Sequence, residues 1–258
     1  PEHFRAVGQF YVQFPAVDDS EVVRLLMRAP PSESPTSAFS EDIQIPADGL
    51  LLDGNLQVPK GAHGLVIFTH GSGSNRHSPR NRQVAQAMHA KGLATLLFDL
   101  LSEDEARNIS ARFDIPKLTA RLDAAAQWAM HHPRTQALSI GLFGASTGAA
   151  AALVLSARYP MVIKAVVSRG GRPDLAGHGA LARVKAPTLL IVGGADREVI
   201  ALNRSALSIL PCHAEMVLVP NATHLFEEEG AMERVAALAT SWFLQWLPNQ
   251  GSVTAGVR

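Results

Sequence analysis

The stretch that decides the fold is "LSIGLFGASTGAAAALVLSARYP", Leu138 to Pro160. An apolar run enters a Gly-Ala-Ser-Thr-Gly turn, and an alanine-rich run leaves it. Short continuous apolar runs read as buried strands, and alanine is the strongest helix former. The stretch is therefore strand, turn, helix. Ser146 stands in the middle of the turn and has two readings. It is either a helix N-cap, a position serine favours, or a nucleophile raised on a sharp strand-to-helix turn. The pentapeptide alone leaves both open.

The same pattern recurs outward from this turn. "GLVIFTHG" (Gly64 to Gly71), "LATLLFDLL" (Leu93 to Leu101), "IKAVVSRGG", "PTLLIVGGAD" and "AEMVLVPNATH" are further apolar runs that end in polar turns. Helical stretches separate them: "SPRNRQVAQAMHAKG", "PKLTARLDAAAQWAMHH" (Pro116 to His132) and "REVIALNRSALSIL". A last helix is expected over Glu227 to Leu247, with its acidic residues in the first turn, where the helix dipole favours them. Two earlier strands, "SEDIQIPA" and "LLDGNLQVP", meet at Asp48-Gly49. Strands alternating with helices imply an α/β fold, a mostly parallel sheet covered on both faces. In such sheets ligands bind at the carboxyl ends of the strands.

Four strand ends carry chemistry. "HGSGS" (His70 to Ser74) follows "GLVIFT", "GASTG" follows "LSIGLF", Asp196 follows "LLIVGGA", and His224 follows "VLVPNAT". Ser146, Asp196 and His224 thus occur in the chain order of a hydrolase triad, each at a different strand end. Serine needs a base to take its proton, imidazole titrates near neutrality, and a carboxylate fixes the imidazole tautomer. The expected oxyanion donors are the backbone N–H groups of Thr147, at the new helix start, and Ser72. Gly144 and Gly148 keep the turn tight. Asp174 competes with Asp196 for the acid role. His213 precedes a strand and stands at the wrong end.

Arginines crowd the same edge: Arg76, Arg80 and Arg82 in "NRHSPRNR", and Arg169 and Arg172 in "SRGGRPD". Either some of them, Arg76 and Arg169 foremost, hold an anionic substrate group beside His70 and Gly71, or they pair with acidic residues around the rim. His3, His63, His77, His89 and His178 form no metal-ligand spacing, so no metal and no cofactor is expected. The segment between "AVVSRGG" and "APTLLIV" is too short for a helical cap. The loop from Ser102 to Ile115 is the one long insertion near this edge, so an open or lightly covered site is expected.

Composition narrows the function classes. The chain has 258 residues, 47% hydrophobic and 18% charged, enough for one large core. Its 23 basic and 23 acidic residues cancel, which argues against nucleic acid or an anionic membrane as the main partner. The single cysteine, Cys212, excludes an internal disulfide and points to a reducing, cytoplasmic setting. No apolar run is long enough to span a membrane, and no secretory leader is visible. A catalytic domain is expected over 39–248, after an extension at 1–38 with a helix at Asp18 to Arg28 and a Pro/Ser-rich linker, and before a loose tail at 249–258. A homodimer is an open expectation.

Together "HGSGS", "GASTG", "LLIVGGAD" and "PNATHLFEE" resemble the dienelactone-hydrolase-like branch of the α/β-hydrolases, over roughly residues 40–247. The resemblance implies cofactor-free hydrolysis of small esters or lactones. Dienelactone hydrolases proper use a cysteine nucleophile, and Ser146 departs from that towards an ordinary carboxylesterase. "FRAVGQFYVQFPAVDDSEVVRLL" resembles the C-terminal tail of a phosphoribosyltransferase-like module, which is fused upstream of this branch in some bacterial proteins. No phosphoribosyl-pyrophosphate motif accompanies it. That resemblance implies the hydrolase half of such a fusion, without transferase activity.

Overall fold

The structure is a computed structural model that describes residues 38–247. The expected helix at Asp18 to Arg28, most of the linker and the tail after Pro248 lie outside the described residues. Strand β1 (Phe39–Ala47) turns back on β2 (Leu50–Val58) as an antiparallel hairpin, with Ala47 opposite Leu50. Asp48 and Gly49 both take positive φ, 49° and 75°, which is what a two-residue hairpin turn demands and why Asp-Gly stands there. Every second residue at the end of β1 is buried, so the hairpin shows one face to the core.

Strand β2 pairs antiparallel with β4 (Ala94–Phe98). All further pairings are parallel: β4 with β3 (Gly64–Thr69), then β5 (Ser139–Ala145), β6 (Ile163–Arg169), β7 (Thr188–Gly193) and β8 (Ala214–Val219). The sheet has eight strands in the order β1-β2-β4-β3-β5-β6-β7-β8. Residues of β3, β4 and β7 are buried along their whole length, because helices cover both faces.

The strand period of two sorts neighbouring residues into two cores. Ile67, Leu142 and Val166 meet Leu118 and Leu122 of α4 (Ile115–His131) and Leu153 of α5 (Thr147–Arg158). Phe68, Phe143 and Val167 meet Val84 and Met88 of α1 (Pro79–His89) and Val235 and Phe243 of α8 (Ala231–Trp246). Among the described residues no helix is long and apolar enough to cross a membrane.

Two expectations need correction. Ser102 to Ile115 is not a plain loop: it holds α2 (Glu103–Arg107) and α3 (Ile109–Arg112). Ser102 and Glu105 form a reciprocal capping box, and Asn108 caps α3, so these polar residues start helices. The last helix starts at Ala231 rather than Glu227, because Gly230 takes a left-handed conformation at its N-cap. Only Glu233 lies in its first turn. Glu227, Glu228 and Glu229 belong to the preceding loop, where Glu227 meets Arg80 and Glu228 accepts the Thr223 N–H.

The segment with α2 is tied down through Arg121 of α4. Its side chain is 3% exposed and meets Asp48 of the hairpin turn at 2.9 Å and Glu105 at 3.2 Å. Burial alone would raise the Glu105 carboxyl. The Ser102 N–H, Lys117 and the Arg121 charge outweigh burial and hold it below its ordinary value.

Gly141 of β5 marks where α8 presses on the sheet. A Cβ there would stand 2.6 Å from Cε1 of Phe243 and 3.2 Å from Leu247. Gly141→Ala should therefore lower unfolding stability by about 1–3 kcal/mol through overpacking. Urea titration checks this, and an unchanged midpoint would refute the close contact.

Candidate active site

The turn after β5 is built by exclusion of side chains. A Cβ on Gly144 would lie 2.4 Å from Cα of Ala149, and one on Gly148 only 2.3 Å from the carbonyl oxygen of Thr69. Only glycine lets α5 start this close to β3 and β5. Ser146 itself sits at φ 50°, ψ −120°, a left-handed φ that a non-glycine residue adopts only at some energetic cost. Neighbouring backbone over-determines it. The Ser146 N–H donates to the Arg169 carbonyl at 3.2 Å, and its own carbonyl accepts from Arg172 N–H at 3.1 Å. Ser146 occupies the N-cap position of α5, yet its side chain makes no capping hydrogen bond. The hydroxyl is therefore free for other use.

Asp196 and His224 meet directly. His224 Nδ1 lies 2.7 Å from Asp196 Oδ2. A carboxylate only accepts, so His224 Nδ1–H is the donor in this bond, an arrangement that leaves Nε2 as the acceptor of the neutral ring. Asp196 Oδ1 accepts the Val199 N–H at 3.4 Å, so the same side chain also caps α7 (Arg197–Leu207), the helix that follows the short α6 (His178–Leu181). Its charge thereby sits at a positive helix end. Asp174, the competitor by sequence, is bound bidentately by Arg172 at 2.9 and 2.7 Å. Among the described residues Ser146 makes no hydrogen bond to His224. Both instead border the Gly170–Arg172 segment: a Cβ on Gly170 would lie 3.6 Å from Cε1 of His224.

Sequence reasoning missed two residues that hold this arrangement. Glu228 accepts the Thr223 N–H at 3.0 Å and so closes the loop that carries His224. Hydrogen bonding from the Thr223 side chain first, then from the Glu228 and Thr223 backbone N–H groups, keeps the Glu228 carboxyl below its ordinary value. Asn203 of α7 donates to the Gly171 carbonyl at 3.0 Å and fixes the segment beside Ser146. Neither residue has a sequence signal, because each bond joins a side chain to backbone across a loop.

His70, Gly71, Ser72 and Thr147 line one cavity of roughly 480 Å³, with Leu51, Leu101 and Leu118 among its apolar walls. The N–H groups of Ser72 and Thr147 make no hydrogen bond among the described residues. Gly71 lets the turn close on Ser146, since a Cβ there would lie 2.9 Å from the serine Cβ. His70 does not reach outward. It is buried, Nε2 accepts the Leu100 N–H at 3.0 Å, and Nδ1 lies 3.1 Å from the Gly71 carbonyl. Those two bonds fit only the neutral tautomer protonated on Nδ1. His70 thus clamps the turn that bears Ser72 to the end of β4.

Arg76 also lines the cavity, but its charge is spent within the rim. Its guanidinium pairs with Asp99 and lies 3.5 Å from Asp53, and its N–H donates to Asp99 at 2.7 Å. Arg80 pairs with Glu227, and Arg82 reaches His77. For Arg76 and Arg80 rim pairing is the reading the contacts favour, while Arg82 meets a histidine rather than an acid. Arg169 has no such acidic partner among the described residues.

Comparisons agree with this architecture. The dienelactone hydrolase family matches residues 52–249. A dienelactone hydrolase from Anabaena variabilis is 51% identical over 81% of this chain and 99% of its own, with a TM-score of 0.78. Est1E from Butyrivibrio proteoclasticus shares the fold at 17% identity and a TM-score of 0.69, over 80% of this chain and 98% of its own. Two Mycobacterium tuberculosis proteins that carry a provisional phosphoribosyl transferase name are 47% identical over 97% of this chain. The chain spans only 58% of their length.

The His70 geometry predicts a pH effect. Burial pushes His70 below its ordinary 6.5, so the unfolded chain takes up this proton first as pH falls. Its contribution is full above about pH 6.5 and is lost progressively below it. Stability measured by urea titration from pH 7.5 to 5 should fall less steeply in His70→Gln than in wild type, and equal slopes would refute the neutral clamp. With the eight-stranded α/β sheet and the family match over most of its length, the chain belongs to the dienelactone hydrolase family.

Proposed function

We propose that this chain is a serine hydrolase of small carboxylic esters or lactones, working through an acyl-enzyme. The observation that carries the reading is the bond from His224 Nδ1 to Asp196 Oδ2 beside a serine held at positive φ with a free hydroxyl. His224 Nε2 takes the Ser146 proton as the hydroxyl oxygen attacks the carbonyl carbon. The tetrahedral oxyanion sits between the N–H groups of Ser72 and Thr147, with the start of α5 adding its dipole. His224 then protonates the leaving alcohol and activates water for release of the acid.

Family membership and the Anabaena relative support ester or lactone chemistry. The phosphoribosyl transferase name of the mycobacterial relatives we assign to the part of their length that this chain does not match. We read the chain as cytoplasmic and bacterial, needing no cofactor, on the single cysteine and the family resemblance.

A fluorophosphonate probe should label wild type and leave folded Ser146→Ala unlabelled. Nitrophenyl esters should show a burst of one nitrophenol per site before steady turnover. Asp196→Asn should lose roughly three to four orders of magnitude in kcat with its fold intact. Serine-independent labelling, or none in folded wild type, would overturn the reading in favour of a non-catalytic binding module.

A further inference from the structure

The cavity beside the oxyanion turn owes one wall to the segment that carries α2 and α3. Ser102, Glu103, Ala106 and Arg112 line it from this segment, together with Leu101 and with Leu118 of α4. Apolar burial does not hold this wall. α2 buries none of its residues and α3 only Ala111, while Ile109 and Phe113 are exposed. The ends are fixed instead: Leu100 and Leu101 before the segment and Ile115 after it are buried. Arg112 Nε donates to the Ala106 carbonyl and so braces α3 on α2.

One carboxylate joins that braced unit to the body of the fold. Glu105 Oε1 meets Lys117 Nζ at 3.1 Å and Arg121 NH2 at 3.2 Å, and both partners belong to α4. Among the described residues the other side-chain hydrogen bonds and ion pairs from Glu103 to Phe113 stay inside the segment, Arg107 with Asp104 and Asn108 with the Ser110 N–H. Glu105 Oε2 accepts the Ser102 N–H at 3.0 Å. The two oxygens therefore do separate things. Oε2 caps α2, and Oε1 ties the wall to α4.

Neither Ser146 nor His224 lines the cavity, whereas Ser72 and Thr147 do. In a tetrahedral adduct on Ser146 the oxyanion faces Ser72 and Thr147, and the leaving oxygen faces His224. The substituent left over is the acyl arm, and the space beside the oxyanion turn is this cavity. We propose that the acyl arm of the ester lies in the cavity, and that the α2–α3 segment, latched by Glu105, limits how long that arm can be. This deepens the serine-hydrolase reading and rests on it. The substrate class is an ester with a short or medium acyl arm that is apolar against Leu101 and Leu118. A long chain has to displace the wall, and the two ion pairs of Glu105 oppose that displacement. Glu105 is a positioning residue and does not touch the reacting atoms.

Glu105→Gln separates latch from cap, because glutamine serves equally in a capping box but carries no charge. Two measurements read the result. In hydrogen exchange, the amides of 103–112 should exchange about tenfold faster in Glu105→Gln than in wild type, with the sheet amides unchanged. In kinetics, wild type should favour nitrophenyl butyrate over the dodecanoate, and the dodecanoate-to-butyrate ratio of kcat/KM should rise about tenfold in the variant. A general loss of stability lowers both esters alike and leaves that ratio where it was. Lys117→Gln should move both readouts in the same direction by less, and it carries both measurements should Glu105→Gln not fold. Unchanged exchange in both variants would overturn the latch. Faster exchange with a constant ester ratio in an active enzyme would overturn the acyl assignment while the serine-hydrolase reading stands. Absence of serine-dependent hydrolysis in wild type removes the acyl assignment together with that reading, and exchange then still decides the latch.

Discussion

The close approach of α5 to β3 is the constraint on which the rest depends. Gly148 lies so near the carbonyls of Thr69 and His70 that no side chain fits between them. This contact forces the chain through the strained Ser146 conformation, in which the serine hydroxyl makes no capping bond to the helix it begins. It also brings Thr147 against the His70–Ser72 turn, so residues from distant parts of the chain line one cavity. The strain at Ser146 is sustained by bonds to Arg169 and Arg172 on the neighbouring strand end.

Around this turn, side chains serve two purposes at once. Asp196 caps α7 and orients His224. His70 links Gly71 to Leu100 in a single tautomer. Arg121, buried in α4, fastens both the hairpin turn and the segment that carries α2. Each such residue joins a local feature to a distant one, which is how a site made of loops acquires the rigidity of the sheet beneath it.

Much of this was legible in the sequence because periodicity and turn chemistry act locally. Continuous apolar runs marked the covered strands, Asp48-Gly49 marked the hairpin, and Gly-x-Ser-x-Gly between a strand and an alanine-rich run marked the elbow. The start of the last helix was misplaced, since the glutamates suited a first turn while the left-handed Gly230 set the start four residues later, at Ala231. The short helices α2 and α3 escaped notice because each is under six residues and owes its start to caps rather than an apolar stripe. Glu228 and Asn203 were invisible because their partners are backbone atoms placed by the finished fold. The fate of the rim arginines depended on which carboxylates the fold set beside them, which composition cannot state.

The order of the strands in space carries a consequence for how the molecule assembles. β5, which bears Ser146, is central, whereas β7 and β8, which lead to Asp196 and His224, are added at one side and come last in the chain. Parallel neighbours can pair only after the intervening helix has closed a long loop. A folding intermediate can thus hold the Ser146 turn before Asp196 and His224 are in place, and on the proposed mechanism recovery of turnover during refolding would report the docking of β8 and α8 rather than the collapse of the core.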